Sequence, residues 1–176
     1  SPVLTNSQFK KFKKFFKKKV KVIDCTFDTE KSLKERIESI REEAETAVRQ
    51  GSTCLVLSDK NISNKKASIP SILTVGAVHS HLVKHGLRGY CSLNVECSDA
   101  MDTHSFAILI GVGATTVNPY LAIDSIYQRF EKKLFGKSDF ETCVNKFKKS
   151  IDAGLLKIMS KMGISVISSY RGGCNF

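Results

Sequence analysis

Residues 20–27, VKVIDCTF, crowd β-branched and aromatic side chains together and predict a strand. The period then changes. Leu33, Ile37, Ile40, Ala44, Ala47 and Val48 recur at helical spacing, with Asp28 or Thr29 to cap the start and Gly51 just past the end. Residues 52–59, STCLVLSD, hold an apolar run between polar ends, the pattern of a strand buried on both faces. The polar run KNISNKKAS predicts a loop, after which Pro70 opens a helix that closes at Gly86. In that helix Ile72, Val75, Leu82 and Val83 define an apolar stripe, with His79 inside it. Residues 89–97 predict another strand, DTHSFAILIGVG a short helix, ATTVNPY a short strand and YLAIDSIYQRFEKKLFG a helix. DFETCVNKFKKSIDAGLLKIMSKMG predicts one long helix, and ISVISSY a final strand.

Strand and helix alternate about four times, which predicts an α/β fold of β/α units around a mainly parallel sheet. About five strands are too few to close an eight-stranded barrel. The expected architecture is therefore partial-barrel-like, open and incomplete. In such sheets ligands sit where strands end and helices begin. A last strand with no helix to cover it points to a cut chain or to an element belonging to a next domain.

Composition changes this picture little. The chain has 176 residues, 41% of them hydrophobic, enough for one domain or slightly more. No apolar run is long enough to span a bilayer, and the start lacks a signal-peptide core, so the expected location is cytoplasmic. The six cysteines then read as reduced, buried thiols. Cys91 and Cys97, if in one strand, stand about 20 Å apart, too far to share a metal or a disulfide.

Charge has to be mapped before it means anything. The net charge is +11, but residues 10–21, KKFKKFFKKKVK, carry eight of the 28 basic residues and no acid. The remainder is near balance. Phe9, Phe12 and Phe16 share one side of a helix, which suits docking on the protein's own core with the lysines solvated. The alternative is a nucleic-acid-binding arm built on Lys10–Lys21, which would also be basic and aromatic. The docking helix is the favoured reading, and an interaction with nucleic acid or membrane is not expected.

The histidines invite a metal reading. At 100° per residue His81 lies about 160° around the helix from His79, and His85 about 40° beyond His81. At most His81 and His85 can converge, and no H-E-x-x-H pattern or nearby cysteine pair completes the set, so no metal site is expected. His79 reads as a hydrogen-bonded core residue. GVGATT lacks the lysine and hydroxyl of a phosphate loop, and Arg171 beside GISVISSY is a weak phosphate signal. NVECSDAMDTHSF places Glu96, Asp99, Asp102 and His104 at a strand end and helix start; capping by Asp102 or Thr103 accounts for part of it. No complete active site emerges from residue chemistry.

Several long segments resemble the glutamate synthase large-subunit family. They are LVLSDKNIS, IPSILTVGAVHSHLVKHGLRGYCSLNVE, HSFAILIGVGATTVNPYLA and GLLKIMSKMGISVISSYRGG, with SPVLTNSQFKKFK and IDCTFD at the start. The resemblance runs through nearly the whole chain. It implies that residues 1–150 are the later part of the family's central domain and 151–176 the opening helix and strand of its FMN-binding barrel. It implies a connector between the glutamine amidotransferase and synthase sites, bordering the ammonia passage and inert alone. FMN and a 3Fe-4S cluster belong to the whole enzyme and none is expected in this segment. The implied partners are the remaining domains of the same polypeptide and a small electron-donating subunit or ferredoxin; a homodimer is expected separately, from surfaces that normally meet neighbouring domains. The family commonly has three histidines where this chain has His79-Ser80-His81, a pair where His104-Ser105 stand, and Gly-Glu where Ser98-Asp99 stand. That leaves His79, His81, Glu96 and His104, with Lys161, Ser165 and Tyr170 at the barrel start, as supporting or interface residues and none as a catalytic or cofactor ligand.

Overall fold

The strand β3 (Cys54–Ser58) is buried at all five positions because it runs through the middle of a sheet covered on both faces. The computed structural model describes residues 1–173. Its main sheet has the order β1 (Val20–Asp24), β3, β5 (Ser92–Glu96), β6 (Thr116–Asn118), and every pairing is parallel. Successive strands of this sheet are thus neighbours, and the sheet stays open, as expected. The chain start covers the β6 edge: Val3 bridges Val117, and Leu4 N–H donates to the Val117 carbonyl at 2.9 Å.

Strand alternation divides the core in two. Ile23, Leu55, Leu57, Leu93, Val95 and Val117 face α2 (Leu33–Arg49), α3 (Ser71–Lys84), α4 (Thr103–Gly111) and α6 (Phe140–Lys161) in one large apolar cluster. Cys54 and Val56 face the other way, against Phe9, Phe12 and Phe16 of α1 (Asn6–Phe16). The basic run therefore does dock by its phenylalanines. Thr5 and Gln8 start α1 with a reciprocal capping box. Two lysines of the run turn to acids of this chain, Lys13 to Glu96 and Lys21 to Glu43.

Several expectations need correction. The strand over 20–27 breaks at Cys25, because Asp24 Oδ1 accepts from the N–H and hydroxyl of Thr26 and turns the chain. Beyond the break, β2 (Thr26–Asp28) pairs antiparallel with β4 (Lys66–Ser68), which lies inside the stretch expected to be a loop. Helix α2 is capped by Ser32, not by Asp28 or Thr29. In α3 the buried face is Ser71, Thr74, Val75, Val78 and Leu82, while Ile72 and Val83 are exposed. The expected strand in ISVISSY is instead one helical turn, α7 (Ile167–Tyr170). No bare sheet edge waits for it beside β6, which Val3 already pairs. Tyr170 plugs into the helix layer and donates its hydroxyl to the Ala107 carbonyl at 3.1 Å.

Helix α6 runs unbroken through residue 150, and Ile151, Leu155 and Met159 bury into the same cluster as the sheet. Helix α5 (Tyr120–Glu131) meets the start of α6 through Tyr127, Phe130 and Phe140. Among the described residues, no helix is long and apolar enough to cross a membrane.

Candidate functional site at the strand ends

The sheet face turned toward α1 becomes steadily more polar along the strands. Register places Val20, Cys54 and Ser92 in one row, then Val22, Val56, Asn94 and Thr116, and at the carboxyl ends Asp24, Ser58, Glu96 and Asn118. The last row is entirely polar, and Glu96 and Asn118 in it are buried. Such groups are tolerated only with partners. Asn94 donates to the Leu55 carbonyl at 3.0 Å and accepts from Thr116 at 2.8 Å. Asn118 donates to the Leu4 carbonyl and to Asn6 Oδ1, tying the row to the start of α1.

Glu96 is the electrostatic centre. Ser58 Oγ donates to its Oε2 at 2.8 Å, and the ammonium groups of Lys13 and Lys60 reach its Oε1 at 3.2 and 3.1 Å. Burial pushes the Glu96 carboxyl up, but the Ser58 hydrogen bond and the two lysines outweigh it and hold it below the ordinary carboxylate range. Asp24, at the end of the row, is likewise held low against burial, by Asn61, Thr26 and Lys66. Next to the row, Asp59 Oδ2 accepts from the N–H and hydroxyl of Ser98, while Asp59 Oδ1 is buried with no hydrogen-bond partner. Burial and the Asp59 charge push the neighbouring Tyr120 phenol up. A roomier groove of about 620 Å³ lies elsewhere, between the start of α1 and α5–α6, lined by Asn6, Lys11, Tyr127 and Phe140.

The low-lying Glu96 carboxyl makes an acid-stability prediction. An unfolded glutamate takes up its proton near about pH 4.3, above the folded value, so the ionised group favours the folded state. That contribution is complete above the unfolded value and disappears as pH falls through the folded one. Urea titrations across this range should show the wild type losing stability on acidification and Glu96→Gln losing less. Parallel pH curves for the two proteins would contradict the assignment.

The other expected residues go to different places. Half-buried His79 accepts at Nδ1 from Arg88 Nε at 3.1 Å, and Arg88 also donates to the carbonyls of Cys91 and Gly113. Burial, then the Arg88 and Arg171 charges, push the His79 imidazole down and keep it neutral. His81 sits on the opposite side of α3, 2.6 Å from Glu45 of α2, and His85 joins the same carboxylate at 3.9 Å. His104 lines a small depression at the start of α4 with Ile72 and Asp99. Asp99 accepts from the Ser71 N–H at the start of α3, and Asp102 caps α4. Lys161 ends α6 and Ser165 lies just beyond it, both exposed, whereas Tyr170 is buried under α4. Glu96, His81 and His104 thus do not meet.

The thiols offer no ready nucleophile among the described residues: Cys25, Cys54, Cys91, Cys97 and Cys143 are free and buried. Burial raises the Cys25 thiol to about 12 and the Cys97 thiol further. Cys174 lies outside the described residues. Sequence reasoning missed Lys13, Lys60 and Ser58 as partners of Glu96. The readable signal was the polar residue at every second position of β5, Ser92, Asn94 and Glu96.

An open parallel β/α sheet whose strand-end Glu96 is neutralised by lysines of the same chain defines an α/β domain with an internally paired strand end. The solved structure of DHODH in complex with ferulenol from Eimeria tenella, a barrel-like chain, shares the fold. It superposes with a TM-score of 0.56 at 15% identity, over 87% of this chain and 37% of that one. The chain belongs to the glutamate synthase central domain family, whose model matches residues 1–176. It is 50% identical to the NADPH glutamate synthase large chain of Azospirillum brasilense, covering 100% of this chain and 12% of that one. The corresponding chain of Bacillus subtilis is 42% identical over 98% of this chain and 11% of its own length. The chloroplastic ferredoxin-dependent glutamate synthase of Spinacia oleracea is 40% identical, over 98% and 12%. The chain therefore spans about 12% of the length of the curated relatives it matches.

Proposed function

We propose that this chain is a framework segment of a glutamate synthase large chain, an enzyme that forms glutamate from glutamine and 2-oxoglutarate using FMN. It holds the glutamine-hydrolysing and synthase sites in fixed relation and borders the passage for ammonia between them. The observation that carries this reading is the self-contained neutralisation of Glu96 by Ser58, Lys13 and Lys60. A strand-end carboxylate already held by two cations is suited to fixing α1 on the sheet and is not poised for proton transfer to a substrate. In this reading FMN and the 3Fe-4S cluster are held by other domains of the same polypeptide, and residues 151–173 lead toward the flavin domain. Reducing equivalents come from a small subunit or from ferredoxin.

The test has two arms. The 176-residue chain alone should neither hydrolyse glutamine nor form glutamate, and turnover by it would overturn the proposal. In the whole large chain, Glu96→Ala should raise the glutamine hydrolysed per glutamate formed while each half-reaction, assayed with added ammonia or glutamine alone, persists. Unchanged coupling would remove this region from the passage.

A further inference from the structure

A helical wheel places two histidines of α3 on one face, but the fold adds a third donor from a different helix. The Glu45 carboxylate of α2 reaches His81 Nε2 at 2.6 Å and lies 3.9 Å from His85 Nε2. One donor atom from each of these three residues lies within 4.8 Å of the others. Tetrahedral zinc with ligand bonds of about 2.0–2.1 Å needs donors about 3.3 Å apart, a spacing inside this range and reachable by small side-chain rotations.

Two of the three side chains are also oriented by groups that are not among the three donor atoms. His85 Nδ1 lies 2.8 Å from the His81 carbonyl, which can only accept, so His85 carries its proton on Nδ1 and presents the Nε2 lone pair to the site. A ring N–H spent on a backbone carbonyl is the usual support of a metal-binding histidine. Arg49 donates to Glu45 Oε1 at 2.8 Å, leaving Oε2 for the histidines. All three residues lie at the rim between α2 and α3, partly exposed, so an ion has a path in and a fourth position open to water.

We infer that Glu45, His81 and His85 form a binding site for a divalent transition-metal ion of the zinc class, clipping α2 to α3. The two-histidine, one-carboxylate donor set suits zinc better than magnesium or calcium, which prefer all-oxygen shells. The site is independent of the strand-end row and of the proposed role in glutamate synthesis.

The test is equilibrium dialysis of the full-length chain, stripped with a chelator and reloaded with Zn²⁺, with metal counted by elemental analysis. Comparison with His85→Gln, whose side chain is accessible and whose loss spares the core, cancels any zinc held elsewhere. The wild type should retain one more equivalent than His85→Gln, and Glu45→Gln should match the histidine variant. Affinity at this site should fall by more than about 100-fold, since even loss of an outer supporting group costs about 10- to 100-fold. Equal zinc content in wild type and both variants would overturn the site. A loss in His85→Gln that Glu45→Gln does not share would overturn the three-residue assignment.

Discussion

Phe9→Ala is expected to destabilise the fold by about 3–5 kcal/mol, the range for emptying a buried phenylalanine site. Phe9 is 1% exposed and packs with Phe12 and Phe16 on Cys54 and Val56, the buried strand side chains of that second cluster. The cluster is small, so its walls are few and a ring-sized void has little around it to collapse inward. Helix α1 also carries Lys13 to Glu96, so loosening the helix weakens that pairing as well. Phe15 provides the control: it lies one residue before Phe16 but is 78% exposed, and its alanine variant should fall within about 0.5 kcal/mol of wild type. Urea midpoints for the three proteins, at unchanged slope, check the pair. Equal losses at positions 9 and 15 would mean that α1 does not lie on the sheet.

The regular elements were legible because they obey one period at a time. Residues 54–58 read as a buried strand from their unbroken apolar run, and the phenylalanines at 9, 12 and 16 read as a docking face from their spacing. What escaped the sequence was decided by long-range geometry. Whether residues 164–170 extend as a strand depends on an available edge, and Val3, at the far end of the chain, occupies the one beside β6. A stripe drawn through Ile72 and Val83 fails because tertiary packing rotated α3 to bury Thr74 and Val78 instead. The same limit hid the site partners. Lys13 and Glu96 are 83 residues apart, and Glu45 and His81 are 36 apart, so no local window holds either pair. The histidine separation was readable, since it is fixed by helical geometry, whereas the donor that joins His81 and His85 comes from another helix. Family resemblance did identify the chain, and the match over residues 1–176 agrees with it.

Gly113→Ala should cost about as much as Phe9→Ala, for a different reason. Gly113 has φ +123°, a region that side chains rarely adopt, which alone costs about 1–3 kcal/mol. A Cβ there would also stand 2.3 Å from His79 Nδ1 and 2.4 Å from its Cγ, at the base of the ring, where no rotation of a flexible end relieves the clash. Overpacking of this kind adds about 1–3 kcal/mol. Gly86→Ala isolates the strain from the clash: φ is +68° but nothing lies within 4 Å, so strain of about 1–2 kcal/mol is all it should show. The excess at Gly113 should come with a chemical signature. Displacing His79 separates it from Arg88, which binds the ring at Nδ1 and the Gly113 carbonyl at 2.8 Å. The imidazole, now held low by burial and by the Arg88 and Arg171 charges, should move back up toward its ordinary value in a proton NMR titration. Stability should follow with a definite sign. Neutral His79 contributes fully above the unfolded value near about pH 6.5, and that contribution fades as pH falls through the lower folded value. Gly113→Ala should flatten this part of the stability curve, whereas Gly86→Ala should leave it intact. An unmoved His79 titration in a destabilised Gly113→Ala protein would separate the backbone strain from the histidine clamp and refute the coupling between them.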